Sequence, residues 1–295
     1  MQQRTRDFTD CRPKLFGIAY RMLGSRTDTE DVLQDAYLRW HAADVSEIRS
    51  GEAWLVTIVT RLCLDRLRHA KIEREAYIGP WLPEPLVTAE PQTPEAAAEL
   101  ASDVSVAFML VLERLSPEER AVFLLHQVFD LDYPDIAEML GKTQPACRQI
   151  VHRARERVQQ ERRRFVVSKD VHLRLLDRFM AAAKSGDRAQ LSALFADDAT
   201  LTADAGGKAV SVTNILHGAD RIARLFHVVA RRAGPHMAFR HATINGEPGL
   251  LRFIDGQLDS AMSFMTDGNR ITALFTVRNP DKLKAIPAEL QLVSD

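Results

Sequence analysis

The stretch Asp132–Val158, DYPDIAEMLGKTQPACRQIVHRARERV, decides how the chain reads. At helical period Ile136, Ala137 and Leu140 share one apolar face. Gly141 follows, where a left-handed residue ends a helix at no steric cost. Thr143 is a good N-cap, and Pro145 falls in the first turn, where a missing N–H costs little. The second helix puts Cys147, Ile150, Val151, Ala154 and Val158 on a buried face and Arg148, Gln149, His152, Arg153 and Arg155 on the other. A helix, a short turn and a basic second helix make the layout of a major-groove reader. An ordinary helical hairpin with a solvated basic face accounts for the same residues, so this stretch alone leaves both readings open.

The charge around it is local. The whole chain has a formal net charge of −1, but from Arg148 to Arg164 seven Arg stand against Glu156 and Glu161, so 7 − 2 gives +5. Such a stripe suits phosphate contacts. A length of 295 residues predicts two or three domains, and 46% hydrophobic residues supports real cores. No apolar run reaches the roughly 18 residues of a membrane span. The opening MQQRTRDFTD lacks the apolar centre of a signal peptide, so a cytoplasmic protein is expected. Cys11, Cys63 and Cys147 are odd in number, far apart and form no CxxC pair. They read as reduced thiols, and no metal or cofactor site is expected.

Upstream, residues 10–70 read as helices. Leu15, Ile18, Ala19, Met22 and Leu23 make a stripe closed by Gly24, and Thr27 or Asp28 can cap the next helix. In TDTEDVLQDAYLRWHAA, Val32, Ala36 and Leu38 to Trp40 can face a core, with Asp28, Glu30, Asp31, Gln34 and Asp35 outside. After a polar loop at Asp44–Gly51 comes EAWLVTIVTRLCLDRLRHAKIERE, with Trp54, Ile58 and Leu62, and also Leu55 and Leu64, apolar and Arg61, Arg66, Arg68, His69 and Lys71 on a basic side. A basic helix with aromatics can hold single-stranded DNA, and an apolar core with solvated arginines explains the residues equally well.

These blocks carry a resemblance. DTEDVLQDAYLRWH looks like the polymerase-binding helix of sigma region 2, AWLVTIVTRLCLDRLRHA like the following region 2.3–2.4 helix, and Asp132–Val158 like sigma region 4. Region 2, a linker and region 4 with nothing between resembles the extracytoplasmic-function sigma factors. The resemblance implies that Glu30, Asp31, Gln34, Asp35 and Leu38 lie against the β′ clamp helices of core RNA polymerase, with the β flap as a second contact. It implies that the loop Asp44–Ser50 helps capture an unpaired −10 base, and that Arg61, Asp65, Arg66 and Arg68 lie on or near the DNA side of the next helix. Arg61 stands where many family members have Asn. Gln144, Arg148, Gln149, His152 and Arg153 would contact the −35 element of promoter DNA, and Arg155, Arg157 and Arg162–Arg164 would touch phosphates or stay solvated. Opening a promoter means trapping bases already out of the stack.

Tyr77–Pro94, YIGPWLPEPLVTAEPQTP, is proline-rich and reads as an extended linker whose apolar Trp81, Leu82 and Leu86 need a surface to dock on. A neighbouring domain of this chain is one such surface; the sigma-factor resemblance implies instead a linker that runs through polymerase toward the RNA exit path. Glu95–Leu115 reads as a helix, and Ser116-Pro117-Glu118-Glu119 as a helix start. After Ser168 the composition shifts. Helices at Val171–Lys184, Leu191–Phe195 and Ala219–Arg232 are expected, with a strand at Ala199–Asp204. Further β-like runs lie near Phe239–Asn245, Gly249–Asp255, Leu258–Thr266 and Arg270–Arg278, separated by Asn245-Gly246, Asp255-Gly256 and Asp267-Gly268-Asn269. Helices and an antiparallel meander mean α+β, a curved sheet wrapped on helices.

That pattern resembles the SnoaL-like, nuclear-transport-factor-like cone. DAGGK at Asp204–Lys208 looks like a DGGGK motif with Ala205 for its first glycine; NPDKL at Asn279–Leu283 and WLPEPL complete a set typical of the SigJ-like group of these sigma factors. The expected architecture is multidomain: two all-α sigma domains at 1–75 and 101–165, a linker at 76–100, an α+β cone at 168–285 and a tail at 286–295. Group resemblance implies that the cone regulates the sigma part in cis. The interface would use Trp81, Leu82, Pro83, Asp204, Gly206, Gly207, Lys208, Asn279, Pro280 and Asp281. A small-molecule ligand could sit in the cone mouth, lined by Asp204, His217, His236, Arg240 and His241.

Two other readings compete. A ligand-sensing regulator acting without polymerase explains the helix–turn–helix and the cone but not the acidic helix at Glu30–Asp35. A SnoaL-like isomerase or hydrolase needs a positioned acid/base pair, which no arrangement in the sequence demands, so no enzyme activity is expected.

Overall fold

The computed structural model describes residues 2–44, 46, 48–88, 104–161 and 167–291. Arg162–Arg164, most of the expected helix before Val104 with Leu100, linker residues 89–94 and tail residues 292–295 lie outside them. The chain divides into two compact units. One is Met1–Glu75, Gln92–Val104 and Phe108–Arg163; the other is Ala76–Pro91, Ser105–Ala107 and Arg164–Asp295. The helices of both expected sigma domains therefore share one unit, and the linker's first part belongs with the cone.

In the helical unit α1 (Gln2–Leu23) buries Leu15, Ile18, Ala19, Met22 and Leu23 as its stripe requires. Gly24 closes it in the left-handed region at φ 68°. The cap of α2 (Arg26–Ala42) is Ser25, whose hydroxyl accepts from the Asp28 amide at 3.1 Å, rather than Thr27 or Asp28. The glycine reversal places the very next residue at the helix start. α2 buries Thr29, Val32, Leu33, Ala36 and Trp40. Leu38, expected to face a core, is 58% exposed, because two residues past Ala36 the helix has turned about 200°. In α3 (Gly51–Glu75) the buried phase is Leu55, Val56, Val59, Cys63, Leu64 and Leu67, with Trp54, Ile58 and Leu62 only half-buried. Burial raises the pKa of the Cys63 thiol.

Then come α4 (Val106–Glu113), α5 (Pro117–Gln127), α6 (Tyr133–Leu140) and α7 (Gln144–Glu161). Ser116 and Glu119 form a reciprocal capping box at the start of α5. α5 is apolar nearly all round and buries Ala121 to Leu125, because it packs on α1, α3, α6 and α7. Charge is buried beside it. Arg120 donates to the Met22 carbonyl at 2.6 Å and to Glu113 at 2.7 Å, and Arg74 pairs with the same Glu113. Arg21, 1% exposed, donates to the Gly17 carbonyl and lies over the Phe129 ring; burial lowers its pKa to about 10.

The second unit holds α8 (Lys169–Ser185), α9 (Arg188–Leu194), α10 (Ala219–Ala233), α11 (Pro280–Leu283) and one seven-stranded sheet. Its strands are β1 (Val87–Thr88), β2 (Phe195–Asp204), β3 (Leu216–His217), β4 (Met237–Ile244), β5 (Glu247–Ile254), β6 (Gln257–Thr266) and β7 (Ile271–Val277), in the order β1-β4-β5-β6-β7-β2-β3. β4 to β7 form the expected antiparallel meander. Asn245 and Gly246, at φ 52° and 78°, turn the first hairpin with both central residues left-handed. β2 joins parallel to β7, so the sheet is mixed. Phe179 of α8 fills the space between helices and sheet, edge-on to Phe195, Phe226, Phe239 and Phe264 at 5.0–6.3 Å. The observed architecture is the α+β cone that the resemblance implied.

The segment expected as an extended linker is buried from Leu82 to Val87, and Val87 pairs with Ile244. Pro83 and Pro85 have no amide to satisfy, which lowers the cost of burying a stretch with little regular structure.

Candidate nucleic-acid and polymerase interface

The helix–turn–helix is built as its residues require. Gly141 is left-handed at φ 63°, Lys142 N donates to Ala137 O at 2.8 Å, and Thr143 caps α7 through Ala146 N at 3.4 Å. Cys147, Ile150, Val151, Ala154 and Val158 are buried, which leaves Gln144, Arg148, Gln149, His152 and Arg153 exposed. The Arg148 guanidinium stands 5.4 Å over the Tyr133 ring, itself 4.0 Å from the His126 ring. Arg155 donates to Gln127 and Arg157 pairs with Glu119, so both tie α7 to α5 rather than standing free.

Arg61, Asp65 and Arg68 line one cleft of about 360 Å³ with Leu64, Glu118, Met139, Leu140, Gly141 and Lys142. Arg61 donates from Nε and Nη2 to the Met139 carbonyl at 3.2 and 3.0 Å, near the negative end of α6. Arg68 pairs with Asp65 at 2.8 Å. Arg66 is not in that cleft; it pairs with Asp28 and approaches Asp31 at 3.9 Å. On α2, Glu30 pairs with Arg12 at 2.8 Å, while Asp31, Gln34, Asp35 and Leu38 are exposed. In the loop that follows, Asp44 accepts from the Ser46 amide and hydroxyl; residues 45 and 47 lie outside the described set.

In the cone unit the three motifs meet at Asp204, which is fully buried. Its carboxylate accepts from the Tyr77 hydroxyl, from the Leu82 amide at 2.8 Å and from Lys282 Nζ at 2.7 Å. Its carbonyl accepts from the amides of Arg278 and Asn279 at 2.6 and 3.0 Å. Lys282 also donates to the Leu82 carbonyl at 2.5 Å and sits 4.2 Å from the Trp81 ring. Asn279 Nδ2 donates to the Tyr77 oxygen at 2.8 Å, and Asp281 pairs with Lys208 and Lys284. The pKa of the Tyr77 hydroxyl is raised, first by burial and then by its bond to the Asp204 carboxylate. The two lysines hold the pKa of Asp281 down at about 2. Gly206 and Gly207 are left-handed at φ 57° and 71°, and a Cβ on Gly206 would lie 2.5 Å from Asn279 Nδ2. Ala205 is not at positive φ, so the alanine in DAGGK is unstrained.

The sigma-70 region 2 family matches residues 8–72 and the sigma-70 region 4 family matches residues 105–158. The extracytoplasmic-function RNA polymerase sigma factor SigJ of Mycobacterium tuberculosis H37Rv is 38% identical over 293 residues, covering 95% of this chain and 93% of SigJ. A probable sigma factor of the same type from that organism, SigI, is 30% identical over 281 residues, covering 95% and 94%. The crystal structure of SigJ superposes with a TM-score of 0.79 at 34% identity, covering 96% of this chain and 99% of that one. The chain belongs to the extracytoplasmic-function sigma factors.

In this sigma factor the residues singled out by sequence fall into separate places. Trp81, Leu82, Asp204, Gly206, Asn279 and Asp281 belong to one network, with Pro83 buried beside it. Sequence reading missed Tyr77, and it placed NPDKL at the interface without singling out Lys282. Lys282 lies inside NPDKL itself, and an aromatic pair flanking a linker next to a motif lysine was the signal available. The cone-mouth candidates do not form one set. Asp204 is taken by the network, His236 pairs with Asp255, His241 with Asp177, and Arg240 donates to the Glu289 carbonyl. Among the described residues no His, Cys, Asp and Glu group could hold a metal, and no helix is long and apolar enough to cross a membrane.

Proposed function

We propose that this sigma factor loads onto core RNA polymerase, reads −35 and −10 promoter elements, and is regulated in cis by its cone. The observation that carries the promoter reading is α7, which buries one face and leaves Gln144, Arg148, Gln149, His152 and Arg153 exposed. These side chains have the donors and acceptors for base edges and phosphates in a major groove. The exposed Asp31, Gln34, Asp35 and Leu38 of α2, with Glu30, suit the β′ clamp helices, and the second helical module suits the β flap. Arg61, Asp65 and Arg68 share a cleft with the helix–turn–helix, and a DNA phosphate reaching Arg61 there competes with the Met139 carbonyl for its guanidinium. Arg66 orients α2 against α3 through Asp28.

Regulation rests on the network around Asp204, which ties Tyr77–Leu86 to the cone. A linker held there cannot follow a path through polymerase. Release and capture would shift populations between a closed and a polymerase-ready form. Residues 1–75 and 101–165 act as the two sigma modules, 76–100 as the regulated connection and 168–285 as the regulator. The reading has the protein work in the cytoplasm and run no reaction of its own, and it requires no cone ligand. Run-off transcription with core enzyme tests it, comparing the full chain with a chain cut before Ser168. The expected result is promoter-selective transcripts from both, at different levels. Transcripts no more selective than those of core alone would overturn the promoter reading; equal levels would overturn the regulatory one.

A further inference from the structure

Helix α10 buries Ala219, Ile222, Ala223, Phe226 and Ala230 against the cone core. Its opposite face carries Arg221, Arg224, Val228, Arg231 and Arg232, all exposed. At 3.6 residues per turn these five fall within a sector about 100° wide. Among the described residues the four arginines make no hydrogen bond, ion pair or ring contact. The nearby carboxylates are engaged elsewhere: Asp220 pairs with Arg188 at 2.6 Å, and Asp187 caps α9 through the Ala189 and Gln190 amides. A chain of net charge −1 thus concentrates four uncompensated guanidiniums on one stripe of a rigid helix.

We propose that this stripe is a DNA-backbone contact, distinct from the base-reading helices. Arg221 to Arg232 spans ~16 Å at ~1.5 Å per residue. That length faces about five phosphates of one strand at ~3.4 Å each. Guanidinium forks match phosphate oxygens and, unlike a base reader, need no particular sequence. A membrane surface fits poorly, because the apolar half of this amphipathic helix is already committed to the core. An acidic protein surface fits less well than DNA. A stable protein interface wants a desolvated, aromatic-rich centre, and this face offers only Val228, 38% exposed.

The test measures holoenzyme binding, as a function of salt, to a duplex carrying the promoter that the holoenzyme itself selects from a randomised pool. Each phosphate contact contributes about 0.9 to the slope of log affinity against log salt. Replacing Arg221, Arg224, Arg231 and Arg232 by Gln should flatten the slope by about 2 to 4 while base preference stays the same. The pairs R221Q/R224Q and R231Q/R232Q should each give about half of that, and the four Arg→Lys changes should leave the slope near the parent's. An unchanged slope in the Gln variant overturns the proposal. So does an unchanged slope with weakened core-polymerase binding, which would assign the stripe to a protein. Failure of the unaltered holoenzyme to select any promoter would instead sink the sigma reading, so the two failures are told apart.

Discussion

Lys282 clamps Asp204 from one side and the linker from the other: its ammonium donates to the Asp204 carboxylate at 2.7 Å and to the Leu82 carbonyl at 2.5 Å. The lysine side chain is 12% exposed and the aspartate not at all. Removing one partner of a buried pair leaves the other charge uncompensated, typically at about 3–5 kcal/mol. Lys282→Met should therefore destabilise the cone unit by about that amount. It should also loosen residues 77–88, read as faster amide exchange there, and change run-off transcription. Unchanged exchange would show that the lysine does not hold the linker.

Gly206 and Ala205 are neighbours with opposite requirements. Gly206→Ala meets both a left-handed backbone and a Cβ 2.5 Å from Asn279 Nδ2, so a loss of about 1–3 kcal/mol is expected in denaturant melts. Ala205→Gly, which restores the commoner motif residue, should instead cost about 0.5–1 kcal/mol, because Ala205 has ordinary φ and glycine only adds unfolded-state freedom.

Asp259 accepts from Arg252 at 2.6 Å and from Arg278 at 2.6 Å. Burial pushes its pKa up, but the two guanidiniums outweigh burial and hold the carboxyl below its ordinary range. A depressed folded pKa gives stability that is fully present above the unfolded value of about 4 and is lost as pH falls through the folded one. Asp259→Asn should be clearly less stable than the parent at neutral pH. The gap should narrow below about pH 4. A gap independent of pH would mean that the charge is not what matters.

Arg148 rests on Tyr133, and Tyr133 on His126. Arg148→Ala should lower promoter-specific transcription by roughly 5- to 150-fold, the worth of about 1–3 kcal/mol for a good base contact, with core-polymerase pull-down unchanged. Tyr133→Ala should give a smaller drop and Tyr133→Phe almost none, since the ring is what the guanidinium stacks on. Equal promoter use by Arg148→Ala would remove this residue from the reader set.

What could be read without coordinates was written in local periods and turns. Gly141 between two amphipathic runs, Ser116 three residues before Glu119, and Asn245-Gly246 between alternating strands each act over a few residues, so the chain itself specifies them. The half-burial of Trp54, Ile58 and Leu62 beside the buried Leu55 and Leu64, and the exposure of Leu38, mark the limit. Those helices are apolar on more than one side, and only the neighbours they meet decide which side is buried.

The sequence by itself determined the elements, the basic α7 face and the family. Tertiary structure alone decided that β2 runs parallel to β7, that Arg61 donates to Met139 rather than standing free, and that Tyr77, Leu82 and Lys282 close on one carboxylate. Tyr77 lies 127 residues from Asp204, and Lys282 lies 200 from Leu82. No local propensity encodes a partner at such a distance. The burial of Asp204 selects it, because a carboxylate removed from water is stable only where donors converge on it.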